Sequence, residues 1–237
     1  MEDKQKLNLL RLAVDNASDF DEAKSYASFI LGDRSPLTTC TPRADNSYGR
    51  TKDVIKGGVY IVAKGFPPVP FGAISGVQNP RECNVMVSHH GHEWIVAKED
   101  LKGDGLPLLS DDSHPERTSS FYKCEIEALN DFDMKSCTEH LRKAGIAFEL
   151  DADLYIPTAG QLAAMFLFRK ELNKALEMVG GTPMKEEVYW ASSENNAWTS
   201  WYVNFDSGYV NNWSNKSNDS YVRPCTAFKL EKKGGAK

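Results

Sequence analysis

The stretch from Trp190 to Phe228 constrains this chain more than any other. It reads Tyr189-Trp190-Ala191-Ser192-Ser193-Glu194, then Trp201-Tyr202-Val203-Asn204-Phe205, then Gly208-Tyr209-Val210, and closes on Tyr221-Val222-Arg223-Pro224-Cys225-Thr226-Ala227-Phe228. Between Asn195 and Tyr221 most positions are Asn, Ser, Tyr or Trp, and the only charges are Asp206, Lys216 and Asp219. Asn and Ser compete with the backbone for its own hydrogen bonds and are poor formers of helix and strand. Disordered segments, however, are poor in aromatics, and this one holds Trp198, Trp201, Tyr202, Phe205, Tyr209, Trp213 and Tyr221. Rigid rings set among Asn, Ser and Gly are the palette of antibody binding loops. The stretch therefore reads as a binding surface and not as a reaction centre.

Alternation supports that reading. In Trp201-Tyr202-Val203-Asn204-Phe205, a strand puts Trp201, Val203 and Phe205 on one face and Tyr202 and Asn204 on the other. The first set reads as core and the second as surface.

The rest of the chain sets the limits. With 237 residues there is room for one large domain and an appendage. A net charge of −5 argues against a surface that coats nucleic acid, which needs a basic patch. No apolar run approaches the roughly 20 residues that span a bilayer, and Met1-Glu2-Asp3-Lys4-Gln5-Lys6 does not lead into an apolar signal core. The five cysteines (Cys40, Cys83, Cys124, Cys137 and Cys225) form no C-x-x-C pair and read as reduced thiols.

Leu7, Leu10 and Val14, then Phe20, Ala23, Ala27, Ile30 and Leu31, recur at helical spacing, so residues 1–32 read as a small helical segment. It is expected to dock on its own domain, on another copy or on a larger assembly. Residues 33–53, with Pro36 and Pro42, read as a linker. From residue 54 the pattern predicts strands at Val59–Val62, Phe71–Ile74, Val85–Val87 and Trp94–Ala97, the last two joined by a hairpin turning at Gly91. Ser88-His89-His90-Gly91-His92-Glu93 holds metal-ligand types, but adjacent strand residues point to opposite faces, so only His90 and His92 could share one, and no fourth ligand is evident. Helices are predicted over 119–130 and 133–144, and Tyr155-Ile156-Pro157 reads as a short strand. A single long helix is then predicted from the capping box Thr158-Ala159-Gly160-Gln161 to Gly180-Gly181. Residues 229–237 form a tail.

At Tyr155-Ile156-Pro157-Thr158, the helix ending Gly180-Gly181-Thr182-Pro183, and Tyr189-Trp190-Ala191-Ser192-Ser193-Glu194 through Arg223-Pro224, the sequence resembles a known family. It is similar to the variable proteins of diversity-generating retroelements, of the type found in gut bacteria and their phages. The likeness covers about residues 155–228 and, more weakly, 54–102, and the N-terminal helices resemble the leader of phage-encoded members. The resemblance implies an α+β chain with a C-type lectin-like fold over 54–228 and a small N-terminal helical appendage. Its variable ligand-binding region would span about 190–222.

In such systems a reverse transcriptase copies a template with errors at adenines, so Asn codons become codons for Asn, Ser, Thr, Asp, Tyr or Gly. The positions this implies as varied are Asn195, Thr199, Ser200, Tyr202, Asp206, Ser207, Tyr209, Asn212, Ser214 and Ser217. Trp198 and Trp213 join them as ligand-facing candidates, although Trp is not reachable from an Asn codon. Trp190, Trp201, Val203, Phe205, Val210 and Arg223 fall where the family keeps its framework. The implied function is non-catalytic binding of a protein or glycan ligand on a target surface, as a virion (phage tail) protein if phage-encoded. No cofactor, metal, nucleic-acid partner or membrane insertion is expected; the N-terminal helices would hold a homo-oligomer or virion partner.

Two rival readings share the fold. A fixed-specificity lectin that binds sugars through calcium would need Glu-Pro-Asn or Gln-Pro-Asp with Trp-Asn-Asp, and neither tripeptide occurs. A formylglycine-generating oxidase has a similar end to Val222-Arg223-Pro224-Cys225 but needs two closely placed reactive cysteines. Cys225 has no neighbour in sequence.

Overall fold

The computed structural model describes residues 55–64, 66, 68–101, 105–110 and 121–228. The predicted N-terminal helices, the linker with Cys40, and the tail lie outside them. The chain divides into two compact units, Met1–Gly58 with Ser88–His92, and Val59–Val87 with Glu93–Lys237. In the first, Ser88 Oγ donates to the Ile55 carbonyl at 3.4 Å. His90 and Gly91 have φ of 51° and 77°. Positive φ at both central residues is the mark of a two-residue type I′ hairpin turn, and Gly91 sits in it as the sequence predicts.

The described residues are α+β. Strands β1 (Gly58–Ala63), β2 (Val69–Pro70), β3 (Cys83–His89), β4 (His92–Val96) and β8 (Cys225–Ala227) form one sheet in the order β2-β1-β3-β4-β8. Strands β5 (Val188–Glu194), β6 (Thr199–Asn204) and β7 (Val210–Asn215) form a second, antiparallel sheet in chain order. The helices are α1 (Glu125–Leu129), α2 (Met134–Ala144), α3 (Ala159–Leu167) and α4 (Arg169–Met178). None is long and apolar enough to cross a membrane.

Three sequence expectations are corrected. Phe71–Ile74 is not a strand: the sheet edge is only Val69–Pro70, and Phe71–Ala73 turns as a 3-10 helix. Proline has no N–H to give a sheet and is confined to its edges, and Pro68 and Pro70 keep this edge short. The helix predicted from 119 is limited to Glu125–Leu129 among described residues, because Phe121 bridges to Glu194 instead. The long helix is two, parted at Phe168 (φ −98°, ψ 12°) where an apolar segment gives way to the charged Arg169-Lys170-Glu171.

The capping box forms as read. Thr158 Oγ1 accepts from Gln161 N at 3.2 Å, and Gln161 Oε1 accepts from Thr158 N at 3.0 Å. Gly160 is required beside it, since a Cβ there would lie 2.7 Å from the Asp131 carbonyl oxygen. The apolar α3, with Leu162 and Met165 sealed from solvent, then runs under the second sheet, where Phe166 meets Phe205 edge-on at 5.7 Å.

Arg223 stitches the C-terminal half together. Its side chain is wholly buried: Nε donates to Asp100 at 2.6 Å, and Nη1 to the carbonyls of Ala97, Lys98 and Thr182 at 3.0–3.1 Å. Nη2 reaches the Pro183 carbonyl at 3.3 Å. The other Asp100 oxygen accepts from Tyr189 Oη at 3.1 Å, which ties the node to β5. A guanidinium presents its donors in a rigid fork, so one side chain can close the segment after β4 on the turn after α4. Removing one partner of such a buried pair strands the other charge. Arg223→Ala is therefore expected to cost about 3–5 kcal/mol in chemical denaturation, and a midpoint close to the parent's would contradict this account of the node.

Candidate ligand-binding face

In the second sheet β5 is buried almost throughout, and the exposed positions lie along β7 and in the turns. Register pairs Tyr189 with Val203 and Val203 with Val210, and all three are buried. The neighbouring row is Trp190, Tyr202 and Asn211. Trp190 packs in a core with Leu108, Leu109, Leu141, Ile156 and Val222, and its Nε1 donates to the Leu106 carbonyl at 2.9 Å. Tyr202 lies half-buried against Trp190, ring centroids 6.4 Å apart and edge-on. Burial, then the nearby Tyr209, pushes the Tyr202 hydroxyl's pKa up. Along this row Trp190 is buried, whereas Tyr202 and Asn211 are partly exposed.

Two register shifts shape the face. Four steps of β5 (Trp190 to Glu194) oppose two of β6 (Tyr202 to Ser200). Ser200 Oγ fills the resulting bulge, 2.8 Å from the Ser193 carbonyl oxygen and 3.1 Å from that of Ala191. Ser200 was expected on the ligand face and is corrected to a buried residue, because the bulge turns its hydroxyl onto the backbone. On the other side, three steps of β7 (Asn211 to Ser214) oppose two of β6 (Tyr202 to Ser200). Bulges re-aim side chains at sheet edges, and Trp213 within this one is 84% exposed.

The remaining candidates, Trp198 apart, fall into three groups. Asn195, Thr199 and Asn212 are tied together: Asn195 Nδ2 donates to Thr199 Oγ1 at 2.9 Å and Asn212 Nδ2 to Asn195 Oδ1 at 3.1 Å. Asp206, Ser207 and Tyr209 occupy the exposed turn from β6 to β7. That turn needs Gly208, whose φ is +77° and whose added Cβ would overlap the Phe166 ring. Ser214 and Ser217, half-buried, lie at the far end of β7, where Asn218 Nδ2 donates to Ser214 Oγ at 3.3 Å. Trp198, in the loop from β5 to β6, is 48% exposed and Tyr209 is 58% exposed.

Sequence reading missed what holds this face. Lys216 and Glu194 are an ion pair with side chains 2% and 3% exposed. The ammonium bonds the Glu194 carboxylate and also the carbonyls of Asn196 at 2.8 Å and Ala197 at 3.2 Å. Three acceptors match the three N–H donors of a lysine. The backbone of Glu194 in turn accepts from Tyr122 N at 2.8 Å, and the Tyr122 carbonyl accepts from Trp201 Nε1 at 3.2 Å. The available signal was the one cation of a stretch whose only other charges are Asp206 and Asp219, and one Glu ending an apolar strand.

Neither the Cys137 nor the Cys225 thiol is activated. Burial pushes the thiols of Cys225 and Cys137 well above the usual range, Asp131 adding to the effect at Cys137. The thiolate, which is the reactive form, is disfavoured at both. Among the described residues no three His, Cys, Asp or Glu side chains gather as a metal site.

No protein-family model matches the chain, and no curated protein matches it. Among solved structures, a fimbrial protein from Bacteroides ovatus ATCC 8483 aligns at 20% identity over 58% of this chain and 36% of that one, with a TM-score of 0.42. This chain thus spans about a third of that protein's length.

The ion pair gives a sharp expectation. Lys216→Met alone leaves a buried carboxylate without its cation and is expected to cost about 3–5 kcal/mol, whereas Lys216→Met with Glu194→Leu recovers most of the loss. Simple additivity of the two single effects in a denaturation cycle would show that the pair is not coupled.

Proposed function

We propose that this chain is a non-catalytic ligand-binding protein of C-type lectin-like fold, its binding face diversified by a retroelement. We place it as a receptor-binding protein on a phage tail or other surface, with a protein or glycan as ligand. The observation that carries the reading is the exposure of Trp198, Tyr209 and Trp213 (48%, 58% and 84%) amid uncharged Asn and Ser, above a buried frame. Large rings left in water invite aggregation unless a partner covers them. Trp and Tyr are also the residues that dominate binding energy at interfaces, with Asn and Ser supplying adaptable hydrogen bonds beside them. The fold and the retroelement origin are supported by the resemblance of residues 155–228, and the N-terminal helices would supply an attachment to another copy or to a virion.

The test is parallel capture on a glycan array and from a random-peptide display library, using the full chain. Hits are expected to lose at least about tenfold in affinity with Trp213→Ala or Tyr209→Ala, equivalent to about 1.4 kcal/mol. Stability should move by under about 0.5 kcal/mol, as surface changes usually do. Tyr202→Ala differs, since its ring packs on Trp190: it is expected to lower both affinity and stability. Hits indifferent to all three rings would overturn the reading.

A further inference from the structure

Each exposed ring of the face has its own backbone N–H taken by a side-chain oxygen two residues earlier. Asn196 Oδ1 accepts from Trp198 N at 2.8 Å and from Thr199 N at 2.9 Å. Ser207 Oγ accepts from Tyr209 N at 3.3 Å. Asn211 Oδ1 accepts from Trp213 N at 2.9 Å, while its Nδ2 donates to Tyr209 Oη at 2.7 Å, so one amide holds two rings. The same device recurs at two polar candidates: Asn204 Oδ1 accepts from Asp206 N at 2.8 Å, and Asn215 Oδ1 from Ser217 N at 3.1 Å.

We propose that Asn196, Ser207 and Asn211 are positioning residues for the three ligand-facing rings, and that Asn204 and Asn215 do the same for Asp206 and Ser217. The proposal rests on the binding reading above only for what the rings are for. Short Asn and Ser side chains close such bonds onto the backbone two residues on and imitate a backbone turn. The bond fixes the backbone of the residue between, and with it the direction in which the next Cα–Cβ bond leaves the chain. At the three rings and Asp206 it makes no use of the contact side chain itself, whereas at Ser217 the hydroxyl also donates to Asn215 Oδ1, at 3.0 Å. A contact side chain can be exchanged while its direction is kept, which is what a face of changing specificity requires. On the outer strand β7, Asn211 also occupies an N–H at a sheet edge, where unpaired groups invite strand pairing with other chains.

The asparagines of the stretch then divide into two kinds. Asn195, Asn212 and Asn218 bond other side chains and belong to the exchangeable surface. Positions 196, 204, 207, 211 and 215 need a short acceptor, which Asn, Asp, Ser or Thr supplies. Positions 198, 206, 209, 213 and 217 need nothing in particular for folding.

Single-site saturation of these ten positions in the full chain, displayed on yeast and sorted for protease resistance, tests the division. Asn, Asp, Ser and Thr are expected to be enriched about fivefold at the five supporting positions, the size of a lost side-chain cap, and no residue class at the five contact positions. Equal tolerance, or equal restriction, in the two sets would overturn the proposal. Amide hydrogen exchange at Trp213 supplies a local readout: Asn211→Ala should speed it and Asn211→Asp should keep it slow. Exchange in Asn211→Ala matching the parent chain would also overturn it. Neither measurement uses a ligand, so its failure is distinct from failure of the capture experiment.

Discussion

The face between β5 and β7 depends on one buried ammonium. Taking the Lys216 and Glu194 charges out of water costs several kcal/mol for each ion, and the cost is met only because the carboxylate and the carbonyls of Asn196 and Ala197 surround the Lys216 Nζ. The consequence is positional. The end of β7, the end of β5 and the loop carrying Trp198 are drawn to a single point, and Lys216 N adds a bond of 2.9 Å to the Trp198 carbonyl. Glu194 passes the constraint on through Tyr122 to Trp201, so the strand between is held from its inner side as well.

Around that point the sheet separates two duties. Tyr189, Val203, Val210 and Phe205 are buried, Phe205 against Tyr189 and against Phe166 of α3, and the Arg223–Asp100 node fastens β5 to the segment after β4. These contacts bury apolar area and charge, the terms that decide stability. The outward side chains contribute little of either. A chain built this way can change its surface while keeping its fold, because core substitutions cost kcal/mol and surface ones tenths. The bulges serve the same separation: one tucks Ser200 inward and the other turns Trp213 outward.

Much of this was legible in the sequence. The alternation Trp201-Tyr202-Val203-Asn204-Phe205 gives the faces of β6 correctly, and Thr158 with Gln161 marks the start of α3. What escaped was polar and non-local. Ser192, Ser193 and Glu194 look like surface residues, yet all are buried because Ser192 Oγ reaches the Ile156 carbonyl, Ser193 Oγ accepts from Ala159 N, and Glu194 meets Lys216. Hydrophobic periodicity cannot report such partners, since they lie 22 to 36 positions away. Ser200 was misplaced for the related reason that a bulge resets the alternation on which facing is read. The break at Phe168 escaped because apolar spacing of three and four continues straight through it.

The central claim is that the exposed positions of this face are exchanged in nature while the frame beneath them is kept. Deep sequencing of the gene's 3′ end and its flanking DNA, in a population grown from one clone, addresses it most directly. The expected result is a nearby near-copy of the region encoding residues 190–228, with differences confined to template adenines at codons of surface side chains. Codons for Trp190, Trp201, Val203, Phe205 and Arg223 should stay constant. An invariant 3′ end with no template copy nearby would contradict the account.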